Sequence, residues 1–143
     1  MKIKTSDPVN VVLEKEKGLL WGRVEGLGNF TPTPFGKDKD EVIESLKSLI
    51  REYVANEGKE DPYWSQINPD KLKIEFSYDL GAYFHEHDYL KIRAVAELAG
   101  LNAGLVRQYA SGVKFPSQEQ AQKIRTAIDK IVNELKKSVI YTG

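Results

Sequence analysis

Residues 92–102, IRAVAELAGLN, and residues 103–117, AGLVRQYASGVKFPS, carry the reading that decides the fold. Two short helices crossing at a steep angle need a small residue where they touch and apolar residues turned toward a common core. Ile92, Val95, Ala99, Leu101, Val106 and Tyr109 supply the apolar positions in one register, and Ala96 is the small residue at the contact. Gly100 stands in the turn, where a left-handed backbone is free for glycine and costly for other residues. Asn102 follows as a natural cap for the next helix. The pattern predicts helices over Ile92–Ala99 and Ala103–Ala110, in the helix-turn-helix arrangement used by DNA-binding proteins.

The makeup of the Ala103–Ala110 helix adds chemistry to that pattern. Leu105, Val106 and Tyr109 are expected inside, with Ala103, Gly104, Arg107 and Gln108 facing outward. The small first turn lets the helix approach base edges closely. Arg107 has the donors to read guanine, and Gln108 the donor and acceptor to read adenine, in a major groove. Asn102, Ser111 and Lys114 are placed to hold phosphates, together with the helix's own N-terminal amides. The same pattern also suits an αα-hairpin in a protein-interaction or dimerisation module that never touches DNA, and the outward face of this helix is what separates the two readings.

Beyond this pair, Ser111 and Gly112 close the helix and Pro116 makes a stiff entry to the next one. Ser117 with Gln120 has capping-box form and opens a helix predicted from Gln118 to about Ser138. Ala121, Ile124, Ile128, Ile131 and Leu135 make a seam too long for so small a module. Its distal half, with Val139, Ile140 and Tyr141, is expected to meet the N-terminal domain or a second subunit. A homodimer is expected, because one recognition helix reads only a few base pairs and one copy presents few cations. On the N-terminal side a short helix is predicted from Asp79 through His87, which puts a domain boundary near Ser77.

The period is helical throughout only after Phe76, and residues 1–76 mix short strands with one helix. Val9–Leu13 and Leu19–Val24 read as a hairpin across a polar turn, Glu14–Gly18. A turn at Gly26–Asn29 leads into an extended stretch, Phe30–Gly36, whose prolines suit an edge strand. Asp38 or Asp40 caps a helix, predicted over Lys39–Asn56, with an apolar stripe of Val42, Ile43, Leu46, Leu49, Ile50, Tyr53 and Val54. Lys59–Asp70 reads as a polar loop and Leu72–Phe76 as a last strand. The predicted class is α+β: a small β-β-β-α-β domain over 1–76, then an all-α helix-turn-helix domain over 77–143.

The composition of the 143 residues fits a globular chain, 41% hydrophobic and 29% charged. There is no cysteine, which excludes disulfides, thiolate metal sites and thiol nucleophiles. No apolar run reaches membrane-spanning length and no signal peptide is visible, so a cytoplasmic protein is expected. Net charge is zero, with 21 basic and 21 acidic residues, but from Tyr89 onward nine Lys and Arg stand against four Asp and Glu. Basic character collects where phosphate contact is expected.

Catalysis is not expected. Asp7, Glu14, Glu25 and Glu75 are read as lying at turns or outside strands, so no three carboxylates share a strand face for a divalent metal. His85 and His87, two residues apart, point to different helix faces and make no metal pair. Gly18, Gly26, Gly28 and Gly36 are too scattered for a phosphate loop. No cofactor and no metal site are predicted.

With its helix-turn-helix residues and its order of N-terminal elements, the chain resembles the HicB-like antitoxins. The resemblance is strongest over residues 77–126, through 92–102, LVRQYASGVK at 105–114 and Pro116-Ser117. It implies a partly complete RNase-H-like N-terminal domain followed by a phage-repressor-type helix-turn-helix. It further implies an antitoxin-like autorepressor of a toxin–antitoxin system. The N-terminal domain would hold a small, basic, RNA-cleaving toxin and the C-terminal one an operator in double-stranded DNA, contacted by Asn102, Arg107, Gln108 and Lys114.

Overall fold

The computed structural model describes residues 8–25, 28 and 30–143. The fold is α+β, with strands and a long helix first and only helices after Tyr78. Contacts divide the chain into two compact units, Met1–Ala82 and Tyr83–Gly143. Asp7 and most of the predicted turn at 26–29 lie outside the described residues.

The first unit is built on a four-stranded sheet. Strands β1 (Val9–Glu16), β2 (Leu19–Val24), β3 (Phe35–Gly36) and β4 (Ile74–Tyr78) lie in the order β3-β2-β1-β4. β1 and β2 form an antiparallel hairpin, β3 is antiparallel to β2 at one edge, and β4 runs parallel to β1 at the other. The hairpin turn is shorter than predicted. β1 continues through Glu16, and only Lys17 (φ 53) and Gly18 (φ 79) turn, both left-handed as a two-residue hairpin requires. Glu14 and Glu16 belong to the strand because alternation puts them on the face away from the core, where charge stays hydrated.

Helix α1 (Lys39–Ala55) covers the other face. Of the two candidate caps, Asp38 is the one used, its carboxylate accepting from Glu41 N at 2.9 Å. Val42, Leu46 and Ile50, one helical turn apart, are buried over Val9, Val11, Leu13, Leu20 and Val24 of the sheet. The start of α1 sits so close to β3 that a Cβ on Gly36 would come within 2.4 Å of Glu41 Cβ.

The stretch 59–70 is more than a polar loop. It holds two short 3-10 turns, Trp64–Gln66 and Pro69–Lys71, and sends Trp64 into the core at 1% exposure. Asp61 organises the first turn by accepting from Tyr63 N and Trp64 N, each at 3.0 Å, and from the Tyr53 hydroxyl at 2.8 Å. β4 begins two residues later than predicted. Of the extended stretch before α1, only Phe35–Gly36 is a strand, preceded by a bond from Gly22 N to Pro34 O of 2.8 Å.

Helix α2 (Leu80–Glu86) contains the division between the units, and its first turn is closed by Asp79, which accepts from Ala82 N at 2.7 Å. The second unit then has α3 (Ile92–Ala99), α4 (Ala103–Ala110) and α5 (Gln118–Lys137). α3 packs on both α4 and α5, and Val95, Ala96, Val106, Tyr109, Ile124 and Ala127 are buried. The seam along α5 fades outward: Ile128 and Ile131 are half-buried, and Leu135 is 69% exposed.

Candidate nucleic-acid interface

The turn between α3 and α4 is fixed at both ends by backbone chemistry. Gly100 takes φ 71 and ψ 28, its N–H donates to Glu97 O at 3.2 Å, and Leu101 N donates to Ala96 O at 2.9 Å. This pair of bonds closes a helix on a left-handed residue. Asn102 then opens α4, its Oδ1 accepting from Gly104 N at 2.8 Å and Leu105 N at 3.3 Å. A Cβ on Gly104 would lie 3.0 Å from that oxygen, so glycine leaves room for the cap. The cap occupies the oxygen of Asn102 and leaves its amide nitrogen to donate elsewhere.

The far end of α4 repeats the same closure. Gly112 takes φ 80, its N–H donates to Tyr109 O at 3.2 Å, and Val113 N donates to Gln108 O at 3.0 Å. Gln108 O also accepts from Lys114 N and from Ser111 Oγ, each at 3.2 Å, which pins the Gly112–Pro116 loop to the end of the helix. The Tyr109 hydroxyl, on a side chain 4% exposed, donates to Gln120 Oε1 and ties α4 to α5.

At 100° per residue, positions 103, 104, 107, 108 and 111 fall within an arc of roughly 140°, and Val106 and Tyr109 are buried on the other side. Gly104, Arg107, Ser111 and Lys114 are exposed, as is Asn102, whereas Ala103 is half-buried. Arg107 and Lys114 form no ion pair among the described residues. Three assignments change. Ala103 and Gln108, expected outside, and Leu105, expected inside, are half-buried, with Ala103 on one margin of the buried strip and Leu105 and Gln108 on the other.

Two neighbours of the predicted set were not singled out from the sequence. Val113 is 70% and Phe115 77% exposed, on either side of Lys114. The signal for them is local: a Gly112-to-Pro116 loop is too short to fold apolar side chains inward.

Elsewhere the carboxylates need correction. Glu14 and Glu75 lie within strands β1 and β4, and both sit on the sheet face away from α1, because polar residues alternate there with core residues. Even so, no group of three or more His, Asp or Glu among the described residues is placed to hold a metal ion. His87 Nδ1 lies 2.9 Å from the Tyr89 hydroxyl, and the His87 ring packs against Tyr83. An open groove of about 490 Å³ is lined by Phe30, Leu49, Glu52, Tyr53 and Glu57 among others. No helix among the described residues is long and apolar enough to cross a membrane. No family model, curated protein or solved structure matches the chain.

Proposed function

We propose that the chain is a sequence-specific DNA-binding transcriptional regulator, an antitoxin-like autorepressor of the HicB-like kind. In this reading α3 and α4 are a helix-turn-helix and α4 enters the major groove. Arg107 and Gln108 read base edges, while Asn102, Ser111 and Lys114 hold phosphates beside Ala103 and Gly104. The first unit, read as a partial RNase-H-like domain, holds a protein partner such as a small basic RNase toxin. The observation that carries the proposal is the exposed, unpaired Arg107 at the centre of a face whose first turn is Ala103-Gly104. A guanidinium free of internal ion pairs has none to break on meeting a base. Titration of the full chain against DNA upstream of its own gene and against shuffled duplex, over several salt concentrations, tests this reading. Equal affinity for the two duplexes sinks it.

A homodimer belongs to the proposal. Leu135, Val139, Ile140 and Tyr141 are all at least 69% exposed, and Val132 42%. They are the exposed apolar side chains offered to an interface, which in a standard complex takes roughly 800 Å² from each partner. This apolar surface also favours a second reading, in which the helical unit is only a dimerisation module and binds no DNA. The shuffled-duplex comparison separates the two.

A further inference from the structure

The sheet of the first unit has one face under α1 and one that α1 leaves open. Register assigns the open face: Trp21 stands opposite Glu14 on β1 and opposite Phe35 on β3, Leu19 opposite Glu16, and Asn10 opposite Glu75. The Trp21 and Phe35 rings stack with centroids 4.9 Å apart and planes 27° apart, and Phe35 is 50% exposed. Glu14 and Glu16 stand beside this pair on β1, Glu25 follows β2, and Glu75 lies farther off on β4, while within β1, β2 and β4 the one cation on this face is Arg23. Arg23 bridges two of them, bonding Glu14 at 2.9 Å and Glu25 at 2.6 Å. Glu16 and Glu75 have no ion-pair partner among the described residues.

A face of this composition selects its occupant by charge. Nucleic acid is repelled by the carboxylates, since its binding depends on cations that neutralise phosphate. A second copy of the same face would set glutamate against glutamate. A guanidinium is favoured twice: it is planar and weakly hydrated, so it stacks on an aromatic ring, and it pairs bidentately with a carboxylate. We propose that the open face of the sheet docks a basic protein surface that presents arginine, with a guanidinium on the Trp21–Phe35 pair, a neighbouring cation on Glu16 and a more distant cation of the same partner on Glu75 across the sheet. This rests on the reading of the first unit as partner-binding and is independent of DNA recognition by the second.

The test uses the full isotope-labelled chain, with deca-arginine and deca-lysine peptides as probes. Deca-arginine is expected to shift the Trp21 indole and the Phe35, Glu14 and Glu75 amides, and to bind about fivefold tighter than deca-lysine. Phe35→Ala is expected to erase that preference. The double variant Glu16→Gln, Glu75→Gln, which leaves every stacked ring in place, is expected to weaken both peptides. Equal affinity for the two peptides, or shifts confined to the Glu52–Glu57 groove, overturns the proposal. So do open-face shifts that grow with the chain's own concentration, which report self-association, or that appear with single-stranded RNA but not with the peptides. Affinity for upstream DNA is measured on the same variants. Its retention while arginine selectivity is lost separates this surface from the DNA-binding one, and failure of wild type to bind DNA leaves this proposal standing.

Discussion

The Tyr109 hydroxyl donates to Gln120 Oε1, so the helix that carries Arg107 is tied by one bond to the helix behind it. Tyr109 is 4% exposed, and removing its hydroxyl leaves the Gln120 acceptor short of a partner. Tyr109→Phe is expected to destabilise the second unit by about 1 kcal/mol. Denaturant unfolding followed by far-ultraviolet dichroism checks this. An unchanged midpoint would mean that the bond contributes nothing.

Asn102 has two roles that substitution can separate. Its Oδ1 caps α4 through Gly104 N and Leu105 N. Asn102→Ala is expected to cost about 1 kcal/mol of stability. Asn102→Asp keeps a good cap and adds a favourable charge at the helix N-terminus, so stability is expected to hold or rise. On the proposed function the same carboxylate faces phosphate, so its affinity for DNA should fall below that of wild type. A stable Asp variant with undiminished DNA affinity would remove Asn102 from the phosphate contacts.

Asp79 carries a pH signature. Burial, the larger influence, pushes its carboxyl above the ordinary aspartate value, and the bond from Ala82 N opposes the shift. A carboxyl whose pKa is higher folded than unfolded holds its proton better in the folded state. Its contribution is therefore full below the unfolded pKa of about 4 and is lost as pH rises through the folded value. Asp79→Asn keeps the cap and abolishes the titration. The variant's stability relative to wild type should rise as pH is raised from about 3 to 7, and pH-dependent unfolding curves read this directly. A difference independent of pH would contradict it.

Gly36 marks the tightest approach in the first unit. A Cβ there would lie 2.4 Å from Glu41 Cβ and 3.0 Å from two backbone atoms of α1. Gly36→Ala is expected to force the start of α1 off the sheet, at a cost of about 1–3 kcal/mol. Thermal unfolding of the variant tests it, with Gly18→Ala as a comparison in which left-handed strain acts without any clash.

Much of this architecture is legible in the residues, and the lapses have physical causes. The bounds of α3 and α4 follow from Gly100, Asn102 and Gly112, whose conformations are local and leave a mark in the residue type. The start of α1 is ambiguous between Asp38 and Asp40 in the sequence, since either side chain can cap. Glu14, Lys15 and Glu16 resemble a turn by polarity, yet they are strand, because one sheet face tolerates charge and composition does not report pairing. Trp64 sits among polar residues with no period, and its burial is set by distant partners, Phe30 and the α1 stripe. At the candidate DNA face, the residue types were legible but the half-burial of Leu105 and Gln108 was not. It depends on how deeply α4 seats against its neighbours.

The α5 tail offers a separate check on assembly. A chain ending at Lys130 lacks Val132, Leu135 and the exposed residues 139–141 but keeps the buried Ile124 and Ala127. On the proposed function it should sediment as a monomer with α3 and α4 still folded, whereas the full chain is a dimer at micromolar concentration. A folded, truncated dimer would move the interface elsewhere, to an edge of the sheet.

On the proposed function, α4 reads DNA through Arg107. The most direct test is the ratio of affinities for upstream and shuffled duplex, measured at fixed salt for wild type and for Arg107→Ala. A strong preference is expected in wild type, and a variant in which about 1–3 kcal/mol of that discrimination is gone while the fold and the dimer persist. A ratio near one in wild type, or the same ratio in both proteins, would contradict it.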